Sequence, residues 1–286
     1  MKKISLLIAL LFSLALPSHA ARDFSTVEIK AQPVAGGVYM LTGSGGNIGV
    51  LATNEGLVLI DDQFAPLAAK IEAAMKSIKS APLKYIVNTH YHGDHTGSNG
   101  HFGKEAPIFA HSNVRKRVNE DNKKSGVDLP VVTYEHGVTI YLGGEEIQVM
   151  HLPNGHTDGD SVVYFKKANV LHMGDLLFQG RFPYIDLNAG GSVKGYLANI
   201  KSLSNKFPPD VKIIPGHGSL TDMKGLMDFI EMVEYSVNKV DAAVQEGADS
   251  GEIIANGIGD KYKDWAWQFI SEERWLKTLI TDLKGE

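Results

Sequence analysis

The chain has 286 residues, enough for one large domain or two small ones, and its 43% hydrophobic and 21% charged residues are ordinary globular values that exclude fibrous, collagenous and disordered classes. With 28 Lys and Arg against 33 Asp and Glu, the net charge of -5 carries no basic footprint, so no nucleic-acid partner is expected. Cysteine is absent, which removes disulfides, thiol catalysis, iron-sulfur clusters and Cys-containing zinc sites and leaves the chemistry to His, Asp, Glu and oxygen.

Residues 1–20 read as a cleaved export signal: Met1-Lys2-Lys3 is a basic start, Ile4 to Leu16 is an apolar run, and Ser18-His19-Ala20 is a small-x-small cleavage site. The run falls short of the roughly 20 residues that a spanning helix needs, and no second such run follows, which weighs against a membrane anchor. A periplasmic or secreted protein is expected, without membrane contact after cleavage, with residues 21–286 as one domain.

Short β-branched or apolar runs then follow at Val27 to Ile29, Val38 to Leu41, Ile48 to Ala52 and Leu57 to Ile60, and read as hairpin-linked strands. Gly43-Ser44-Gly45-Gly46 lacks the Lys-Ser/Thr ending of a phosphate loop and reads as a mobile hairpin turn. Leu67, Ile71, Met75 and Ile78 predict a helix over 65–79, and Tyr85 to Val87 a buried strand. Arg115, Lys116 and Arg117 read as a solvated helix face. The second half repeats these signals. Strands are predicted at Val138 to Leu142, Ile147 to Leu152, Val162 to Phe165, Val170 to Met173 and Val211 to Ile214. Helices follow around Val193 to Leu203, Leu226 to Val244 and Trp275 to Leu283, with Trp265, Trp267 and Trp275 read as a packed cap.

Beyond the Tyr85 to Val87 strand stands Asn88-Thr89-His90-Tyr91-His92-Gly93-Asp94-His95-Thr96-Gly97. Residues two apart on extended chain point the same way, so His90 and His92 converge on one point while Asp94 and His95 aim at a second. Four metal-competent side chains in six residues are hard to explain as packing, because each buried imidazole would need its own hydrogen-bond partner. A zinc ion wants about four ligands, and further candidates follow later strands: His156, Asp175 and His217, each preceded by glycine. Of the remaining histidines, His172 reads as a core residue, His111 and His151 as possible outer partners, and Asp158 and Asp160 as turn residues.

The His-x-His-x-Asp-His motif, in order with the later His, Asp and His, resembles the metallo-β-lactamase-fold hydrolase superfamily. The resemblance runs from Leu59-Ile60-Asp61-Asp62 through Pro215-Gly216-His217-Gly218. It implies an α+β fold, a four-layer αββα sandwich with the metal site on one rim between its sheets. It further implies that His90, His92 and His156 bind one metal, that Asp94, His95 and His217 bind the other, and that Asp175 bridges them. Asp61 resembles the family's carboxylate that orients ligands from behind. Two Zn2+ per chain are expected, with Fe or Mn as alternatives. Two ions about 3.5–4 Å apart can share a water and lower its pKa toward about 7, giving a hydroxide nucleophile that Asp94 would orient, with Asp94 as the acceptor of the water's proton.

The expected reaction is hydrolysis of an ester-like or amide-like bond in a small molecule, a β-lactam, lactone or related compound. The true metallo-β-lactamases most similar to this chain carry Cys where Asp175 stands, and many carry Lys where Phe178 stands, so β-lactam hydrolysis is expected to be weak. A bridging Asp resembles instead thioester hydrolases of the glyoxalase II type, lactonases and phosphodiesterases. The substrate groove is expected between the Gly43 to Gly46 turn and residues 178–192, with Phe178, Phe182, Tyr184 and Ile185 as apolar lining. Tyr184 or Asn188 is a candidate donor to an oxyanion, and Arg181 a candidate anchor for an acidic substrate. Two rival readings stand beside this one: a mononuclear iron sulfur dioxygenase on the same fold, similar to persulfide dioxygenases, and a non-catalytic metal-binding protein. The sequence does not report the oligomeric state.

Overall fold

The structure is a computed structural model and describes residues 23–122 and 128–285; the export signal expected at 1–20 lies outside them. Seven strands of the first half build one sheet in the order β1 to β7: β1 (Lys30–Ala35), β2 (Val38–Thr42), β3 (Ile48–Ala52), β4 (Leu57–Ile60), β5 (Leu83–Val87), β6 (Ile108–His111) and β7 (Val132–Tyr134). The second half builds another. Its spatial order runs backwards along the chain from β13 to β8: β8 (Gly137–Leu142), β9 (Glu145–His151), β10 (Ser161–Phe165), β11 (Val170–His172), β12 (Lys212–Ile214) and β13 (Thr221–Asp222). Pairing is antiparallel from β1 to β4 and parallel from β4 to β7. In the second sheet only β11 and β12 run parallel. The tight turn between β8 and β9 uses Gly143 and Gly144 at φ +57 and +77, backbone that residues with a Cβ seldom adopt.

The helices are α1 (Ala68–Ile78), α2 (Gly93–Thr96), α3 (Asn99–Phe102), α4 (Ser112–Asn122), α5 (Val193–Ser204), α6 (Met223–Gln245), α7 (Ser250–Asn256) and α8 (Glu272–Lys284). The last four start at capping side chains: Ser192, Asp222, Asp249 and Ser271 each accept from a backbone N–H three residues on.

Strand alternation explains the unbroken apolar runs. In β4, Leu57 and Leu59 pack outward with Ile71 and Met75 of α1, while Val58 and Ile60 face the second sheet. In β10, Val163 and Phe165 face the first sheet, while Val162 and Tyr164 pack with residues of α5, α6 and α8. Side chains of both sheets share the central cluster, and helices cover both outer faces, which is the αββα layering that the resemblance implies.

Several local expectations are corrected. Val27 to Ile29 is not a strand; β1 begins at Lys30 and accommodates Pro33 because it lies at the sheet edge. Strands β6, β7 and β13 went unread because two to four residues cannot display a period. Arg117 is not merely solvated, since its guanidinium makes a two-pronged pair with Asp158 at 2.7 Å on each arm. Trp275 is fully buried, as a packed cap requires.

Candidate metal centre

The candidate ligands come from chain that has just left a strand, all at one rim between the sheets. β4 ends at Ile60 and delivers Asp61; β5 ends at Val87 and delivers His90, His92, Asp94 and His95; β9, β11 and β12 deliver His156, Asp175 and His217. Asp61 is buried at φ +60 and closes the first of these turns, accepting from the Thr89 backbone N–H and hydroxyl at 2.7 Å each. Asp160 forms the turn beside His156, accepting from the Thr157 N–H at 3.0 Å, and burial pushes its carboxyl up to about 8 against the bonds from Thr157.

Two groups of side chains emerge. His90, His92, His156 and Asp175 offer ligand atoms within 4.8 Å of one another, and so do Asp94, His95 and His217. In the inner group His156 Nε2 lies 2.8 Å from His92 Nδ1. Asp175 stands between the groups. Its Oδ2 is 3.7 Å from His90 Nε2 and 3.5 Å from His156 Nε2, while its Oδ1 is 3.1 Å from His95 Nε2 and 3.4 Å from His217 Nε2. Asp94 Oδ2 completes the outer group, 3.5 Å from His217 and 3.8 Å from His95.

The rings are fixed from behind. His90 Nδ1 meets the Thr89 hydroxyl at 3.1 Å, His95 Nδ1 meets Asp61 Oδ2 at 2.7 Å, and His156 Nδ1 meets the Tyr184 carbonyl at 2.7 Å. His92 Nε2 lies 3.1 Å from Asp186 Oδ2, which also accepts from the Tyr91 hydroxyl at 2.7 Å. Such contacts set the tautomer and aim of each imidazole. They leave His90 Nε2, His95 Nε2 and Asp175 Oδ1 buried, facing the centre, without a hydrogen-bond partner. Buried polar atoms are rarely left this way, and cations between these groups would satisfy all three at once. The donor set therefore fits divalent metal.

The electrostatics agree. Burial holds the His90 ring well below the ordinary histidine value, helped by the neighbouring His95, and takes His156 down to about 3. Both are thus neutral and ready to ligate. Burial would depress His95 too, but the carboxylates of Asp175, Asp94 and Asp61 outweigh it and raise that ring well above the ordinary value. Asp175 stays ionised despite burial, held well below the usual range by His217, His95 and His90. Close approach has a backbone requirement as well: a Cβ on Gly46 would run into the His95 ring. The expected mobile turn is in fact tied at this residue, whose carbonyl accepts from Gln63 Nε2 at 2.6 Å and whose N–H donates to the Asp94 carbonyl at 3.3 Å.

A cavity of about 1190 Å³ opens over the centre, lined by His92, Asp94, Asp175 and His217 together with Phe178, Arg181 and Tyr184. Asn188 is exposed and is not among its lining residues, so it does not serve as the expected oxyanion donor from this wall. Phe182 and Ile185 turn into the core. Phe178 is buried but reaches the cavity floor, its ring stacked on His217 with centroids 5.0 Å apart. Trp267, Gln268 and Phe269 form a wall that the sequence placed in a packed cap or left unread. Asp186 was also missed; its only signal was an acid inside the apolar stretch Tyr184 to Leu187. His172 is a satisfied core residue, bonded to the Asn47 carbonyl and the Gly174 N–H. His111 and His151 stack on one another at 3.7 Å, and His151 Nδ1 binds the Asp160 carbonyl rather than a candidate ligand.

A sequence profile of the metallo-beta-lactamase superfamily matches residues 41–217. An uncharacterized protein of Aquifex aeolicus is 30% identical over 159 residues, 52% of this chain and 74% of that protein. Metallo-beta-lactamase IND-1 of Chryseobacterium indologenes is 28% identical over 171 residues, 58% of this chain and 69% of its own. Among solved structures, a metallo-beta-lactamase from Pontibacter korlensis superposes with a TM-score of 0.63 at 22% identity, covering 72% of this chain and 99% of that one, a likeness of fold.

Proposed function

The chain belongs to the metallo-beta-lactamase superfamily, and from that premise we propose that it is an exported dinuclear zinc hydrolase cleaving an ester-like or amide-like bond in a small molecule such as a β-lactam, a lactone or a related compound. One observation carries the reading: two groups of candidate ligands face each other across Asp175, with three buried polar atoms turned into the space between them without a hydrogen bond. Two complete groups favour a pair of cations over the single iron of a dioxygenase. For a purely structural ion the cavity over the centre would have no use.

When bound, the cations supply an activated water as nucleophile and positive charge against which an oxyanion develops. The chain's own residues do the rest. Asp94, which lines the cavity, orients the attacking water and takes its proton. Asp175 holds both groups in register through its two oxygens. Phe178 and Tyr184 give the substrate an apolar surface and keep bulk water from the reacting bond. Relatives named metallo-beta-lactamase make β-lactams a natural member of the test panel, with weak turnover expected because Asp175 replaces the cysteine of the lactamases it resembles. Export rests on the N-terminal run and its Ser18-His19-Ala20 ending, and among the described residues no helix is long and apolar enough to cross a membrane.

The test is elemental mass spectrometry on protein lacking residues 1–20, expressed without added metal. Nearly two zinc ions per chain, followed by cleavage within a panel of β-lactams, lactones, thioesters and phosphodiesters, supports the proposal. One iron with little zinc, and oxygen uptake on a sulfur substrate, overturns it.

A further inference from the structure

Residues 264–269 lie beyond the stretch 41–217 that matches the superfamily, yet they reach the metal centre. Three bonds hold them there. The Phe182 N–H donates to the Trp265 carbonyl at 2.9 Å, the Trp267 indole N–H donates to the Phe182 carbonyl at 2.9 Å, and the Trp267 N–H donates to the Ile270 carbonyl at 3.0 Å. Two rings are thereby set into the cavity wall. Ring centroids step 5.7 Å from His217 to Trp267, 5.7 Å from Trp267 to Phe269, 5.5 Å from Phe269 to Tyr184 and 5.6 Å from Tyr184 to His92. This arc starts on a candidate ligand of the outer group and ends on one of the inner group, and Phe269 remains 49% exposed.

Against the arc lies Arg181, its guanidinium 5.1 Å from the Trp267 centroid. Among the described residues lining the cavity it is the one Lys or Arg, and its guanidinium forms no hydrogen bond or ion pair, not even with Asp264 on the same wall. The other arginines nearby are committed. Arg274 donates to the Phe269 carbonyl at 2.8 Å and covers the Phe269 ring, while Arg117 is spent on Asp158. A guanidinium lying on an indole face keeps its planar fork of donors free for a carboxylate.

We propose that Arg181 and the Trp267, Phe269 and Tyr184 rings form a recognition subsite for an amphipathic carboxylate: a flat apolar body on the rings and a carboxylate on Arg181, set apart from the bond that is cut. The subsite deepens the hydrolase reading and rests on it for the substrate's scissile bond. Two of its rings, Trp267 and Phe269, come from a segment outside the superfamily match, while Arg181 and Tyr184 lie within it.

The test uses zinc-loaded protein and two probes, 2-naphthoate and 2-naphthalenemethanol, with dissociation constants from calorimetry. Wild type binds the carboxylate more tightly than the alcohol; Arg181→Ala weakens the carboxylate about tenfold or more and brings the ratio of the two constants toward one. Arg181→Lys keeps part of that ratio, and Trp267→Ala weakens both probes. Equal binding of the two probes by wild type, no binding of either, or a ratio unmoved by Arg181→Ala overturns the subsite. Paired 4-nitrophenyl esters with and without a free carboxylate separate this from the hydrolase reading. If neither ester nor any panel compound is cleaved while the Arg181-dependent ratio persists, the subsite stands and the hydrolase falls; if both are cleaved and Arg181→Ala leaves their kcat/KM ratio in place, the subsite falls alone.

Discussion

The two halves of the metal centre are built to different standards of enclosure. In the inner group His90 and His156 are buried, and all three rings are held from behind, by Thr89, by Asp186 and by the Tyr184 carbonyl. In the outer group only His95 is built this way, fully buried against Asp61; exposure alone does not divide the groups, since the inner His92 side chain is 18% exposed. The Asp94 side chain is 24% exposed and that of His217 is 11% exposed, and the Phe178 ring stacks on His217. A closed, pre-aimed group suits tight holding of a cation, because little conformational freedom remains to be lost on binding. An open one suits reaction, because substrate and water must reach it. Asp94 lies on the open side, where a proton has to be moved.

Breaking that division at its centre gives the largest effects. Asp94→Ala should lower turnover by about 10²–10⁴ through loss of a proton acceptor, and His92→Ala should abolish turnover and take zinc content from two per chain toward one. Circular dichroism should report an intact fold in both, since neither side chain belongs to the hydrophobic clusters. Retained turnover in either variant would remove the assigned roles. The next effects come from behind the rings. Asp186→Asn should weaken the inner group by about 10–100-fold in metal affinity, while Asp61→Asn should weaken both, because Asp61 Oδ2 meets His95 Nδ1 and also accepts from the Thr89 hydroxyl behind His90, a difference read in the phases of a chelator competition. Asn tolerates the φ of +60 at position 61, so Asp61→Asn removes the charge and one acceptor oxygen without straining the backbone.

Asp186 also makes a pH prediction of smaller size. Burial would raise its carboxyl, but the bonds from His92 and Tyr91 outweigh burial and hold it at about 2. A folded value below the unfolded one means that the contribution to stability is full above about pH 4 and fades as the pH falls toward about 2. In metal-free protein, the stability gap between wild type and Asp186→Asn should therefore narrow from about pH 5 to about pH 3 in denaturant titrations. A gap that widens on acidification contradicts the assignment.

The parts of this molecule that were legible in its sequence share a physical cause. His90, His92, Asp94 and His95 announce themselves because metal chemistry needs several donors on a short stretch of chain, and the Leu57 to Ile60 and Val162 to Phe165 runs do so because strands covered on both faces are apolar throughout. Asp186 and Trp267 gave no such signal. Each acts through a contact with a residue far away in sequence, His92 for the one and the Phe182 carbonyl for the other, and no local period encodes a contact of that span. The same holds for the short strands β6, β7 and β13, which exist because neighbouring strands offer unpaired backbone. The glycine turn illustrates a third case: its composition reads as mobile, but Gln63 and the Asp94 carbonyl tie Gly46 down from outside the turn.

The smallest change that still tests the enclosed half is Tyr91→Phe. The Tyr91 hydroxyl donates to the same Asp186 oxygen that meets His92, at 2.7 Å. The ring itself packs against His92 with centroids 4.4 Å apart and lies under the Arg117 guanidinium at 5.6 Å, contacts that phenylalanine keeps. The hydrogen bond to Asp186 is removed, about 0.5–1.5 kcal/mol net. If the enclosure of the inner group works by fixing Asp186, that loss should appear as a few-fold weaker inner metal affinity with the outer phase of the chelator competition unmoved. It should also narrow the pH gap described for Asp186, because one of the two bonds that depress its carboxyl is gone. A change confined to the outer phase would show that the two groups are not independently supported, and that Asp175 couples them more tightly than the partners behind each ring hold them apart.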